Sequence, residues 1–94
     1  MITVLSFIQD EIVNTYGAEV QTTICMEECS ELIQAISKMK RGKDNRENLI
    51  EEMGDVYIIL EQLKTIYDVT DEELQRTICK KQERQIEMLE RKVR

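Results

Sequence analysis

The chain has 94 residues, a formal net charge of −6, no histidine, no proline and only three glycines. These totals predict one all-α domain, residues 1–94, with a core small enough that a second subunit is expected to cover apolar surface. The missing histidine excludes Ser/His and Cys/His nucleophilic sites, and the acidic charge argues against a polymeric nucleic acid as partner.

Two helices are predicted in the first half of the chain. Apolar residues recur at helical spacing from Val4 to Val13, which indicates a helix at about 3–16 that ends at Gly17. The next helical segment runs from about 19 to 41, and Gly42 is its natural terminator.

Two further helices are predicted to begin at capping boxes. Asp44 followed by Glu47 fits such a box for a third helix that continues to about Tyr67. Thr70 followed by Glu73 repeats the pattern, so a fourth helix is predicted to start there.

The apolar and cysteine residues set the expected compartment. The longest apolar run, Val56–Leu60, is far too short to span a membrane, and the N-terminus lacks the features of a signal peptide, so a cytoplasmic protein is expected. Cys25, Cys29 and Cys79 have spacings that suit neither a disulfide framework nor a zinc knuckle. They are interpreted as small buried thiols.

Carboxylates lie on the apolar faces of helices 2 and 3. At about 100° per residue, Glu28 and Glu31 fall within roughly 40° of Ile24 on the core-facing side of helix 2. On helix 3, Glu52 is centred in the apolar stripe and Asp55 lies at its edge. Each helix therefore directs two acids, three residues apart, toward the core.

The negative charge of inward-facing acids must be balanced by a positive one, because burying a carboxylate costs several kcal/mol and like charges nearby make ionisation harder. A hard divalent cation, Mg²⁺ or alternatively Mn²⁺, is the simplest solution for four carboxylates on two facing helices. Two alternatives stay open: the acids line a solvated groove, or they pair with Lys and Arg.

The acids also form a recognisable pair of motifs. Glu27-Glu28-Cys29-Ser30-Glu31, then twenty residues, then Glu52-Met53-Gly54-Asp55 resembles the Glu-Glu-x-x-Glu and Glu-x-x-Asp motifs of the MazG-like NTP pyrophosphatases. Gln21 and the apolar residues that follow each motif are also similar, so the likeness covers roughly residues 16–90.

The resemblance implies a fold, a reaction and a partner. The fold would be an all-α, four-helix bundle assembling as a dimer or tetramer, and the wide apolar arcs of helices 2 and 3 are consistent with self-association. The reaction would be Mg²⁺-dependent hydrolysis of a nucleoside triphosphate to a monophosphate and pyrophosphate, in the service of nucleotide-pool housecleaning. No membrane or nucleic-acid polymer would be involved.

The resemblance also implies roles for individual residues. Glu28, Glu31, Glu52 and Asp55 would be the metal ligands and catalytic acids, with Glu27 as a further ligand or a residue that orients water. Three further residues would contact the substrate: Gln21, Lys81 and Arg84.

Lys81 and Arg84 have two interpretations. Lys81 projects to the apolar side of the fourth helix and Arg84 to its edge, so both could bind the triphosphate or simply neutralise the acids. A similar Lys-x-x-Arg placement in the family's last helix favours phosphate binding.

Two alternatives to an enzyme remain. One is a non-catalytic helical module that binds metal for interaction or regulation, and the other is a plain dimeric bundle without a ligand. Pyrophosphate release from a nucleotide in the presence of Mg²⁺ would separate the enzyme from both.

Overall fold

The computed structural model describes residues 1–93 of the chain, with side chains described as far as Lys92. This part of the chain is all-helical, with no strand. Its four helices are α1 (Ser6–Tyr16), α2 (Ala18–Lys40), α3 (Arg46–Ile66) and α4 (Asp71–Val93). The all-α class and the four predicted helices are confirmed, with boundaries that differ by up to about three residues.

The two glycines at helix ends behave as their sequence context predicts. Gly17 is the only residue between α1 and α2, has φ of 88°, and donates its N–H to the Val13 carbonyl at 2.9 Å. Gly42, with φ of 77°, follows the last turn of α2 and donates to the Met39 carbonyl. Both backbone conformations lie in the region that glycine tolerates best.

Only one of the two predicted capping boxes forms. The Glu73 amide donates to Thr70 Oγ1 at 3.1 Å, and the Thr70 amide donates to Glu73 Oε2 at 2.8 Å, so the box at α4 is confirmed. The predicted box at Asp44 is wrong: α3 begins at Arg46, and its N-cap residue Asn45 makes no side-chain capping bond. Asn45 instead donates from Nδ2 to the Ala35 carbonyl at 3.5 Å, which ties the loop back to α2.

Helices α2 and α3 form an antiparallel pair, and α1 packs against both. Gln62 donates from Nε2 to Gln9 Oε1 at 2.8 Å, and Gln21 donates from Nε2 to Gln62 Oε1 at 3.0 Å. All three glutamines are buried, so this hydrogen-bonded chain joins the three helices inside the protein. The Thr65 hydroxyl, which donates to Asp10, adds a second link between α3 and α1.

The apolar core is small. Its buried hydrophobic residues are Val13, Cys25, Ala35 and Ile59. The interpretation of the cysteines as buried thiols holds for Cys25 and is wrong for Cys29 and Cys79, which are exposed. Cys29 lies in an open groove that Leu63 and Tyr67 also line, and Cys79 is on α4, which packs against no other helix among the described residues. No described helix is long and apolar enough to cross a membrane.

Helix α4 extends away from the other three. Among the described residues it packs against no other helix, and the side chains from Asp71 to Lys92 are all exposed. Its first turn is held by Lys64, which contacts Asp71 and also Glu61, the latter at 3.0 Å. The radius of gyration is 16.3 Å, whereas a compact chain of this length would have about 12 Å. Three of the four predicted bundle helices therefore pack together within the chain, and the fourth does not.

Candidate metal centre

Four carboxylates meet at the α2/α3 interface. Glu28 and Glu31 come from α2, Glu52 and Asp55 come from α3, and one oxygen of each lies within 4.8 Å of the others. Acids three residues apart share a helix face, and the antiparallel pairing sets Glu28 beside Asp55 and Glu31 beside Glu52. The inward helical phase predicted for these four acids therefore corresponds to a real cluster.

The buried glutamines belong to the same helix pairing. Gln21 lies seven residues before Glu28 on α2, and Gln62 lies seven residues after Asp55 on α3. Seven residues are about two helical turns, so the Gln21–Gln62 pair lies in the same register as the acids, roughly 10 Å further along the helices, with the buried Cys25 and Ile59 between them. This hydrogen bond stabilises the same pairing of α2 and α3 that brings the acids together.

Two oxygens of the cluster lack a donor. Oε2 of Glu28 and Oε2 of Glu52 are buried and have no hydrogen-bond partner. Glu28, Glu52 and Asp55 are half-buried, whereas Glu31 is exposed, so the cluster is accessible from the Glu31 side. Buried carboxylate oxygens without donors are costly, which makes the cluster a candidate cation site.

The electrostatics lead to the same conclusion. Burial raises the pKa of Glu28 to about 7, helped by a hydrogen bond with Asp55 and by the charges of Asp55, Glu31 and Glu52. Burial also raises the pKa of Glu52, with further contributions from a hydrogen bond to Glu31 and from neighbouring acids. The ion pairs found in the described part of the chain involve Lys64 and do not include these four acids. Pairing with Lys or Arg, one of the alternatives that the sequence left open, is therefore not what brings the cluster together.

The donor set suits a hard divalent ion. Mg²⁺ takes carboxylate and water oxygens at about 2.1 Å, so oxygens on opposite sides of it stand about 4.2 Å apart. The four oxygens lie within 4.8 Å of one another, so a small inward movement of the side chains would bring them to that spacing. Mn²⁺ accepts the same ligands.

Comparison with known proteins identifies the family. Residues 18–88 match the MazG nucleotide pyrophosphohydrolase domain. The chain belongs to the MazG family. The match covers most of the chain and contains all four clustered acids, which confirms the resemblance seen in the two acidic motifs. No curated protein and no solved structure matches this MazG chain at a significant level.

The other predicted site residues are placed differently. Glu27 is exposed on α2 next to the cluster, and Gln21 is buried in the glutamine chain. Lys81 and Arg84 are exposed on α4, which does not pack against the helices that carry the acids. The roles of these four residues stay predictions.

Sequence reasoning missed Gln9 and Gln62. Both have the inward phase of their helices, and Gln62 repeats the position of Asp55 two turns later. That phase was the available signal, although glutamine is usually a surface residue.

Proposed function

We propose that this MazG protein is a Mg²⁺-dependent nucleoside triphosphate pyrophosphohydrolase, with Mn²⁺ as an alternative ion. A water oxygen attacks the α-phosphorus, the bond from that phosphorus to the bridging oxygen breaks, and a nucleoside monophosphate and pyrophosphate leave. The observation that carries the proposal is the four-acid cluster with two buried oxygens that have no donor, in a chain of a nucleotide pyrophosphohydrolase family.

Each acid has a proposed role. Glu28, Glu31, Glu52 and Asp55 bind the ion, and for this Glu28 must lose the proton that its raised pKa favours. A bound divalent ion supplies charge neutralisation to the phosphates and makes a coordinated water more acidic. Exposed Glu27, at the edge of the cluster, orients the attacking water or accepts its proton.

Contacts to the triphosphate come from α4 in this proposal. Residues 76–84 contain four basic side chains and one acidic one, which suits a phosphate chain or an acidic surface. Because α4 packs on no other helix in the part of the chain that the structure describes, Lys81 and Arg84 would reach the acid cluster of a second copy. This requires self-association to a dimer or tetramer. Gln21 is proposed as a substrate contact on the family resemblance alone, since its side chain is buried and donates to Gln62.

The decisive experiment measures pyrophosphate release from ribo- and deoxyribonucleoside triphosphates with and without Mg²⁺. Glu28→Gln and Glu52→Gln keep the side-chain shape and remove the charge, so release should fall by about 100-fold or more. Both variants should also lose the rise in melting temperature that Mg²⁺ gives the unmodified protein.

Glu51→Gln is the matched control. Glu51 neighbours Glu52 in the sequence but is exposed and lies outside the cluster, so its variant should hydrolyse and bind Mg²⁺ normally. Full hydrolysis by the Glu28 or Glu52 variant would refute the proposed site. Stabilisation by Mg²⁺ without pyrophosphate release from any nucleotide would favour the alternative function, a metal-binding interaction or regulatory module.

The family membership also suggests the biological role. Hydrolysis of free nucleotides fits removal of unwanted triphosphates from the cytoplasmic pool. The partners would then be the nucleotide and a second copy of the chain.

A further inference from the structure

Lys38 is a half-buried basic residue in the last turn of α2. It follows Glu31 by seven residues, so the two residues lie within about 20° of each other around the helix and about 10 Å apart along it. Lys40, in the same turn, is exposed and points about 180° away from Glu31. Lys38 therefore shares the helix face of the acids, and Lys40 does not.

The contact line between α2 and α3 stays polar between the metal centre and Lys38. The pairing that sets Glu31 beside Glu52 continues with Ala35 opposite Asn48 and with Lys38 opposite the start of α3. Ala35 is buried and small, and Asn48 is half-buried one turn before Glu52. We call the line through these five residues the α2/α3 seam. An amide and then an ammonium group thus follow the acids along this seam.

Lys38 has no acidic partner among the described residues. The ion pairs found there both involve Lys64, at the other end of α3. Arg46 and Lys64, the basic residues within α3, lie about 120° from Glu52 around that helix. A cation in the last turn of α2 would stabilise the helix dipole, but exposed Lys40 does this equally. Neither an ion pair nor the helix end therefore accounts for a half-buried lysine on the acid face.

We propose that Lys38 binds the terminal phosphates of the nucleoside triphosphate beside the metal centre, and the pyrophosphate after cleavage. The inference rests on the proposed function and adds a contact from the same chain that carries the acids. Long side chains of an α-helix lean toward its N-terminus, so the stem of Lys38 extends back toward Glu31. The terminal phosphates extend away from the α-phosphorus, so they fit along the α2/α3 seam toward this ammonium group.

The charge of the site favours such a contact. Four ionised carboxylates and one divalent ion leave a net charge of about −2, and the triphosphate adds more negative charge. Cations near the phosphates must offset this repulsion. Lys38 is the basic residue within α2 and α3 that the fold places on the acid face, and its ammonium group offers three donors on a flexible stem.

Titration of inorganic pyrophosphate into the Mg²⁺-loaded protein by isothermal calorimetry tests the contact directly. Lys38→Met keeps an unbranched apolar stem and removes the charge, so pyrophosphate should bind about tenfold more weakly or worse. Lys38→Arg keeps the charge and should stay within about threefold of the unmodified protein. Lys40→Met is the matched control, because it removes the same charge from the opposite face of the same turn and should leave the affinity unchanged.

The melting temperature separates a substrate contact from a structural role. If Lys38 only balanced the charge of the acids, Lys38→Met should destabilise the metal-free protein and change its response to Mg²⁺. If Lys38 binds phosphate, both quantities should match those of Lys40→Met. With a nucleotide that the unmodified protein hydrolyses, Lys38→Met should also raise KM by about tenfold.

Three results would overturn the inference: no pyrophosphate binding by the unmodified protein, undiminished affinity of Lys38→Met, or equal losses in Lys38→Met and Lys40→Met. Pyrophosphate binding that depends on Lys38, without hydrolysis of any nucleotide, would support the contact and refute the proposed function. Hydrolysis with normal pyrophosphate affinity in Lys38→Met would refute the contact and leave the proposed function standing.

Discussion

At the scale of single residues, the Glu28 carboxyl makes the metal-free protein sensitive to pH. Its pKa in the folded protein is about 7, whereas a glutamate in an unfolded chain titrates near about 4.3. The folded state thus binds this proton more tightly, so the stabilisation is fully present below the unfolded pKa and is lost as pH rises through about 7. The raised pKa of Glu52 acts in the same direction.

We therefore expect the melting temperature of the metal-free protein to fall by a few degrees between about pH 5 and pH 8. Saturating Mg²⁺ should remove the fall, because the ion takes the place of the protons. Glu28→Gln, which cannot ionise, should reduce it without any metal. Circular dichroism melts in the presence of a chelator would measure this, and a metal-free melting temperature that rises over the same interval would contradict it.

The four acids were predictable, and the reason is geometric. Their phase on two helices and their spacing in the sequence depend only on the helix period, which the sequence carries directly. The orphaned oxygens of Glu28 and Glu52 were not predictable, because they depend on how the two helices face each other. The buried glutamines were missed for a related reason: an amide becomes a core residue only when a partner amide from another helix meets it.

At the scale of helices, Gln62 joins α1, α2 and α3. Gln62→Leu would leave Gln9 Oε1 without its donor and Gln21 Nε2 without its acceptor, in a buried environment. Unsatisfied buried groups cost about 1–3 kcal/mol each, so with two such groups the free energy of unfolding should drop by about 2–6 kcal/mol.

Urea unfolding monitored by far-ultraviolet circular dichroism would measure this loss. Gln34→Leu is the matched control, because Gln34 is exposed on α2 and the same change there should stay within about 0.5 kcal/mol. A Gln62→Leu protein as stable as the unmodified chain would show that the glutamine chain does not hold the helices together.

Helix ends were predictable where residues at the end itself determine the local backbone or hydrogen bonding. Gly17 and Gly42 end helices through their own backbone freedom, and Thr70 with Glu73 closes a local hydrogen-bonded box. The start of α3 was predicted less well. There Asn45 reaches across to the Ala35 carbonyl, a contact ten residues distant that no local pattern of Asp44 and Glu47 contains.

At the scale of the whole molecule, α4 is separate from the body that holds the acids. Its contacts with that body, in the described part of the chain, are confined to its first turn at Lys64. The sequence predicted the helix itself, because capping and periodicity are local. It could not predict that α4 would stand alone, since that depends on which surfaces of α2 and α3 are already covered.

This separation means that metal binding and hydrolysis should respond differently to changes in α4. A chain ending at Glu73 keeps α1–α3, the acids and the contact between Lys64 and Asp71, so it should still unfold cooperatively and gain melting temperature on adding Mg²⁺. It should lose pyrophosphate release, because Lys81 and Arg84 are gone.

Within the full chain, Lys81→Met should raise KM or lower kcat with little change in melting temperature, since the side chain is exposed and packs on nothing. Lys80→Met removes the same charge from a different side of α4, about 100° around the helix, and should be nearly silent. Equal damage from both lysine changes would mean that α4 contributes only general positive charge, and full activity of the shortened chain would mean that the triphosphate is bound without α4.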